Sequence, residues 1–198
     1  MAAGRPREFD VERALDDAMD LFWSQGYRRT TTRDLEARLG IGQSSLYKAF
    51  GSKDALLDAV VERYQRLVDA RLLDPLAAGD DGLEALDRFL ADLAEWLGGE
   101  DGRGCLIGRL MGEGTGRSAS IAPRLDHYRE RLGDSITSAL ERAAAAGEIG
   151  ADTVSSRTGV LVGTVLGLNL ALMAGYPPQA RRALVDQVRE EVARWRLA

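Results

Sequence analysis

One cysteine, Cys105, and one histidine, His127, are all that 198 residues provide of two versatile ligand and nucleophile types. A single thiol excludes an intrachain disulfide and a cysteine-built metal cluster. A single imidazole leaves little for a zinc site or a Ser/His/Asp triad, so neither metal nor cofactor is expected, and no enzyme. Lysine is nearly as scarce: of 26 basic residues only Lys48 and Lys53 are lysines. The formal net charge of −5 argues against a chain coated with nucleic acid. Long apolar runs are lacking too. The longest candidate, residues 159–175, is glycine-rich, holds Thr164 and Asn169, and falls short of the ~20 apolar residues of a membrane span. Residues 1–10 carry arginines without the apolar core of a signal peptide, so a cytoplasmic protein with no membrane partner is expected.

What is present is an ordinary folding composition, 45% hydrophobic and 29% charged, with its charge unevenly spread. Residues 1–53 carry nine Lys/Arg against eight Asp/Glu, leaving −6 for the remainder. Binding to DNA needs a local basic surface rather than a basic protein, and an acidic body behind a neutral-to-basic head meets that requirement. Helical periodicity runs through the whole chain, with no sustained strand-like alternation. Val11, Ala14, Leu15, Ala18, Met19 and Phe22 recur at helical spacing between an Asp10 cap and a Gly26 stop. The pattern predicts an all-α fold of nine helices. After the first, they run over about 33–39, 43–50, 53–73 (ended by Pro75), 81–97, 104–113, 121–146, 152–174 and 179–197. Residues 112–116 are expected to be the most mobile loop. They lack the Gly-Lys-Ser/Thr ending of a phosphate loop.

The informative stretch is GYRRTTTRDLEARLGIGQSSLYKAFGSKDAL, residues 26–56. Thr31 stands three before Asp34, a capping-box spacing. Gly40-Ile41-Gly42 then makes a tight turn suited to a helix-turn-helix. The third helix is too short to stand alone and must be pinned through Leu46, Ala49 and Phe50. Ser44 and Lys48 then point away from the core, flanked by Ser45 and Tyr47, with Gln43 at the helix start. Such a surface suits a DNA groove. Lys53 lies in the first turn of the fourth helix, where a cation opposes the helix dipole unless a phosphate docks there.

This stretch resembles the DNA-binding domain of the TetR family of transcriptional regulators. The resemblance is carried by Gly26-Tyr27, Thr30 to Thr32, Asp34-Leu35, Gly40-Ile41-Gly42, Leu46-Tyr47-Lys48-Ala49-Phe50 and Lys53-Asp54-Ala55-Leu56, and covers roughly residues 4–64. Gly42 departs from the pattern, where a serine is usual. The resemblance implies a helix-turn-helix domain over 1–53 and a helical effector-binding and dimerisation domain over 54–198. It also implies a homodimeric, ligand-responsive repressor of a palindromic DNA operator, released by a small and hydrophobic effector. Position by position, it implies phosphate contacts by Thr31, Tyr47 and Lys53, and groove contacts by Gln43, Ser44, Ser45 and Lys48. Arg33 would lie near the backbone, and Arg5 and Arg7 would reach a minor groove.

The body is less legible. Pocket candidates are Phe89, Leu93, Trp96, Cys105, Leu106, Met111, His127, Tyr128 and Leu132, each of which also reads as ordinary core, or for His127 as surface. Gly159, Gly163, Gly167 and Ala171 repeat every four residues on an otherwise apolar helix, and the last helix presents Leu184, Val188, Val192 and Trp195. These fit a two-fold four-helix interface or, alternatively, an intrachain packing stripe. The rival to a repressor is a helical carrier or enzyme that keeps an unused helix-turn-helix; within regulation, an activator or a corepressor-dependent repressor fits as well.

Overall fold

Helix α1 (Val11–Gln25) begins where the Asp10 carboxylate accepts the Arg13 N–H at 3.1 Å, and it stops at Gly26. Gly26 has φ 87° and ψ 151°, a conformation nearly closed to residues with a Cβ. The spacing of Ala14, Leu15, Ala18, Met19 and Phe22 places all five on one buried face. Helix α2 (Thr32–Leu39) opens with the expected capping box: Thr31 Oγ1 accepts from the Asp34 N–H, and Asp34 accepts from the Thr31 N–H. It closes at Gly40 with φ 67°, the left-handed position that favours glycine. Helix α3 (Gln43–Phe50) spans eight residues and depends on tertiary packing for its existence. Leu46 supplies that anchor at 3% exposure, and Phe50 is half-buried. Ala49, expected inside, is exposed.

The computed structural model describes residues 10–98, 104–114 and 121–196, and those residues form only helices and their connections. After Ser52 caps the Ala55 N–H, α4 (Lys53–Val68) runs through a π-helical turn (Asp69–Leu73) directly into α5 (Asp74–Ala78). Pro75 was expected to end this rod and does not. Its ring would clash with the carbonyl four residues back in an α-helix. The wider π register, in which the Asp74 N–H reaches Asp69 O, takes the chain past it. Counted as one rod, α4 to α5 brings the described residues to nine helices, as expected.

The remaining helices are α6 (Leu83–Gly98), α7 (Leu106–Gly112), α8 (Ala122–Ala145), α9 (Val154–Met173) and α10 (Pro178–Arg194), each within a few residues of its expected bounds. Helix α8 grips the rod with arginines along one face. Arg124 forks onto Asp58 (2.9 and 2.9 Å) and reaches Glu62 (2.8 Å). Arg131 pairs with Asp74 at 2.5 Å. Arg142 donates to the carbonyls of Leu76 and Ala77 at 2.5 and 2.9 Å, which satisfies the open end of α5. A single hydrophobic core runs from Phe22, Leu35 and Leu46 through Leu56, Val60 and Tyr64 to Leu90, Leu106 and Ile136. Head and body therefore share the long rod.

Helix α9 departs from expectation in its length and composition. With the 3-10 turn before it, residues 151–173 are long and apolar enough by composition to cross a membrane, at a mean hydropathy of 1.3. Only one face is covered by its own chain, through Leu161, Val165, Leu168 and Asn169. Val160 and Leu170 stand 59% and 65% exposed.

Candidate nucleic-acid interface

Burying Leu46 rotates the opposite face of α3 outward, and Gln43, Ser44, Ser45, Tyr47 and Lys48 are all exposed. Within the described residues no side-chain hydrogen bond occupies any of the five. The face thus offers hydroxyls, an amide, a phenol and an ammonium without intrachain competition. Gly42 caps α3 without a side-chain bond, so the hydroxyl that a serine would bring is missing. Arg5 and Arg7 lie outside the described residues.

Helix α2 adds exposed Arg33 in its first turn and Thr31 at its cap. The Thr31 hydroxyl proton is already committed to Asp34 Oδ2 at 2.7 Å. These hydrogen bonds hold the Asp34 carboxyl below the usual carboxylate range. A phosphate meeting Thr31 therefore finds a hydroxyl whose proton is in use.

Lys53 is more constrained than its sequence position suggests. Its Nζ donates to the Tyr27 carbonyl at 2.7 Å and lies 4.1 Å from the centre of the Tyr27 ring. The electrostatic cost of a cation at a helix start is thus offset inside the chain, before any phosphate arrives. Partial burial pulls the ammonium pKa down, while Asp54, Glu113 and Asp34 push it back up. Tyr27 in turn donates its hydroxyl to Asp54, and burial, then that bond, raise its phenol pKa. Tyr27 also meets Phe22 edge-on at 5.5 Å. The sequence marked Tyr27 only as part of a motif. Its role as the post that holds Lys53 needed the fold.

Residues 14–60 match the family model described as bacterial regulatory proteins, tetR family. The HTH-type transcriptional repressor ComR of Escherichia coli is 46% identical over 61 residues, 31% of this chain and 29% of ComR. An HTH-type transcriptional regulator of Bacillus subtilis, YezE, is 30% identical over 152 residues, 76% of this chain and 78% of YezE. Among solved structures, the TetR family regulator CifR, as a cysteine mutant complexed with 26-bp double-strand operator DNA, superposes with a TM-score of 0.82. It is 26% identical, over 94% of this chain and 98% of CifR. The chain belongs to the TetR family. It is a DNA-binding transcriptional regulator.

For this TetR-family chain, the pocket candidates divide. The half-buried Trp96 and the buried Cys105 and Tyr128 converge on Tyr64 of α4. Trp96 Nε1 donates to Tyr64 Oη at 3.0 Å, and the Cys105 sulfur, which accepts from the Gly108 N–H at 3.4 Å, lies beside the Tyr64 and Tyr128 phenols. Burial pushes the Cys105 thiol pKa up, against its acting as a ready thiolate. Phe89, Leu93, Leu106 and Leu132 belong to the same packed core. Met111 is half-buried and lines an open cavity with Arg28, Leu125 and Arg129. His127 is exposed on α8. It lies between the inward Leu125 and Tyr128 in sequence but on the other face, so the expectation of a pocket contact there is corrected.

The interface candidates divide as well. Gly159, Gly163 and Gly167 are exposed, with nothing within 4 Å of a Cβ added at any of them. Leu184 is 44% exposed and Ala171 half-buried. Val188, Val192 and Trp195 instead turn onto their own chain. Val192 is 1% exposed, and Arg157 lies 4.6 Å from the Trp195 ring. The reason is that α10 packs on α6, where Arg189 forks onto Asp87 at 2.7 and 2.8 Å.

Proposed function

We propose that the chain is a ligand-responsive repressor that binds a palindromic operator as a homodimer and leaves it when a small, hydrophobic effector binds the body. The observation that carries the reading is the exposed polar face of α3, five side chains with no hydrogen-bond partner among the described residues, opposite a single buried leucine. The DNA head is assigned to residues 1–53 and the effector-binding and dimerising body to 54–198, joined by the rod that begins at Lys53. Groove contacts fall to Gln43, Ser44, Ser45 and Lys48, and backbone contacts to Thr31, Arg33, Tyr47 and Lys53, with the arm arginines Arg5 and Arg7 in the minor groove. The location is the cytoplasm, where the DNA is.

Release requires that the effector favour the state that cannot bind DNA; equal affinity for both states shifts nothing. A coupling of about 1–3 kcal/mol is enough for a response of several-fold or more. The cluster of buried Tyr64, Cys105 and Tyr128 with half-buried Trp96 supports an effector contact on the body side, because it places polar groups inside an apolar shell. Selection of bound fragments from genomic DNA tests the whole reading. The expected result is an inverted repeat whose half-sites lie about one helical turn apart. Enrichment of no sequence would overturn it in favour of a helical carrier. A reporter gene placed behind the selected fragment separates repression from activation.

A further inference from the structure

The loop between α1 and α2 leads into the helix-turn-helix, and nearly every residue in it is tied down. Thr30 Oγ1 donates to the Gly26 carbonyl at 2.7 Å, the Tyr27 carbonyl takes Lys53 Nζ, and the Tyr27 hydroxyl is held by Asp54. The Arg28 N–H is different. It is directed at Glu113 Oε2, 3.4 Å away on the far side of the head–body joint. Glu113 follows α7 immediately, and its other oxygen accepts from Arg109 Nε at 3.2 Å. The carboxylate sits against Gly26 so closely that a Cβ there would lie 2.1 Å from Oε1. Gly26 thus serves twice, through its positive φ and through the space it leaves for an acidic side chain of the body.

Helix α7 is built to hold that side chain still. Gly104, Gly108 and Gly112, four residues apart, pack so tightly on Leu172, Asn169 and Met173 of α9 that an added Cβ would come within 1.8, 2.8 and 2.2 Å. At its start, the Gly104 carbonyl accepts from Trp23 Nε1 of α1 at 3.0 Å, and Cys105 reaches the buried phenols. The short helix therefore touches α1 at one end and the α1–α2 loop at the other. It also rests on α9 and on the cluster assigned to the effector.

We propose that Glu113 is a positioning residue, the contact through which the body sets the orientation of the helix-turn-helix. The proposal rests on the DNA-binding reading above. A head whose orientation is not fixed still meets phosphates, but it no longer presents α3 to both half-sites in register. Loss of Glu113 therefore lowers specific affinity and leaves non-specific affinity in place.

The test uses the full-length protein, a duplex selected by the wild type from a random-sequence pool, and a scrambled duplex of equal length. Glu113→Ala removes both hydrogen bonds. Glu113→Asp keeps the charge but is one methylene too short to span from α7 to Arg28, and it carries the test should the alanine variant fold poorly. Both are expected to speed amide exchange at Arg28 by about fivefold, the worth of one ordinary hydrogen bond. They are also expected to lower affinity for the selected duplex by about fivefold or more, with the scrambled duplex bound as before. Glu113→Asp behaving as wild type while Glu113→Ala does not would show that charge matters and reach does not, and would overturn the positioning role. So would unchanged exchange at Arg28, or an equal loss on both duplexes. A wild type that prefers no duplex overturns the DNA-binding reading and this proposal together; a discriminating wild type with equally discriminating variants overturns the role of Glu113 alone.

Discussion

Lys53 and Asp34 show how far a single position can be read. A lysine in the first turn of α4 suggests a phosphate partner, yet the structure supplies an internal one in the Tyr27 carbonyl and ring. A phosphate contact then means exchanging that carbonyl for an anion, which moderates the gain without removing the charge. Lys53→Ala should weaken binding to every sequence alike and reduce the slope of log affinity against log salt by about 0.9, one phosphate's worth. A titration over several salt concentrations that leaves the slope intact would remove Lys53 from the contact set. Asp34 carries a prediction of opposite character. Its hydrogen bonds to Thr31 lower its pKa below the ordinary aspartate value of about 3.9. The stabilisation they bring is therefore fully present above that value and is lost as pH falls through the lower folded value. Asp34→Asn should flatten this part of the acid limb of a circular-dichroism titration. An unchanged acid limb would show that the capping box adds no pH dependence.

At the scale of elements, glycine stripes make the sharpest contrast. Two of them run at four-residue spacing, 104-108-112 leading into and along α7 and 159-163-167 on α9; an added Cβ would run into α9 side chains at the first three and meet open space at the second three. Gly108→Val should therefore drive α7 off Asn169 and cost about 1–3 kcal/mol, the usual range for overpacking, whereas Gly163→Val has no intrachain neighbour to displace. Equal denaturation midpoints at low protein concentration would refute the assignment. The same pair shows what was legible beforehand. Helix bounds, caps and the turn at Gly40 follow from local rules, so α1 to α3 could be drawn from Asp10, Thr31 and the apolar spacing. Which stripe meets its own chain is decided by residues 60 or more positions away, and the sequence held no sign of it. The π turn that carries the rod past Pro75 was hidden for the same reason, since Arg131 and Arg142 of α8 hold that end in place. The exposed face of α3 was legible because one buried leucine fixes the rotation of an eight-residue helix. The Tyr64–Cys105 pairing and the Glu113 seat join distant segments, so the pocket candidates came out as a mixture of core residues and a surface histidine.

For the whole molecule, the open side of α9 is the largest unresolved demand. Val160, Leu170, Met173, Tyr176 and Leu184 are between 41% and 65% exposed, an apolar surface of a kind that single soluble chains seldom leave uncovered. Its composition would also suit a membrane, but the flat glycine row between Val160 and Leu170 suits close approach by another helix better. Arg157 and Arg181 at the margins fix α9 and α10 to their own chain, which leaves the row facing outward. A second copy placed on it by a two-fold axis would cover the same residues on both chains at once. Leu170→Asp should then split the dimer on sedimentation while leaving the monomer folded, because Leu170 is already 65% exposed. The consequence reaches the DNA. Two heads on one body bind two half-sites with a gain of about 10²–10⁴ over one head, so the variant should lose most of its affinity for a full operator. Its affinity for an isolated half-site should match that of the wild type. A variant that still sediments as a dimer, or a wild type that is monomeric at the concentrations where it binds DNA, would show that the row faces something else.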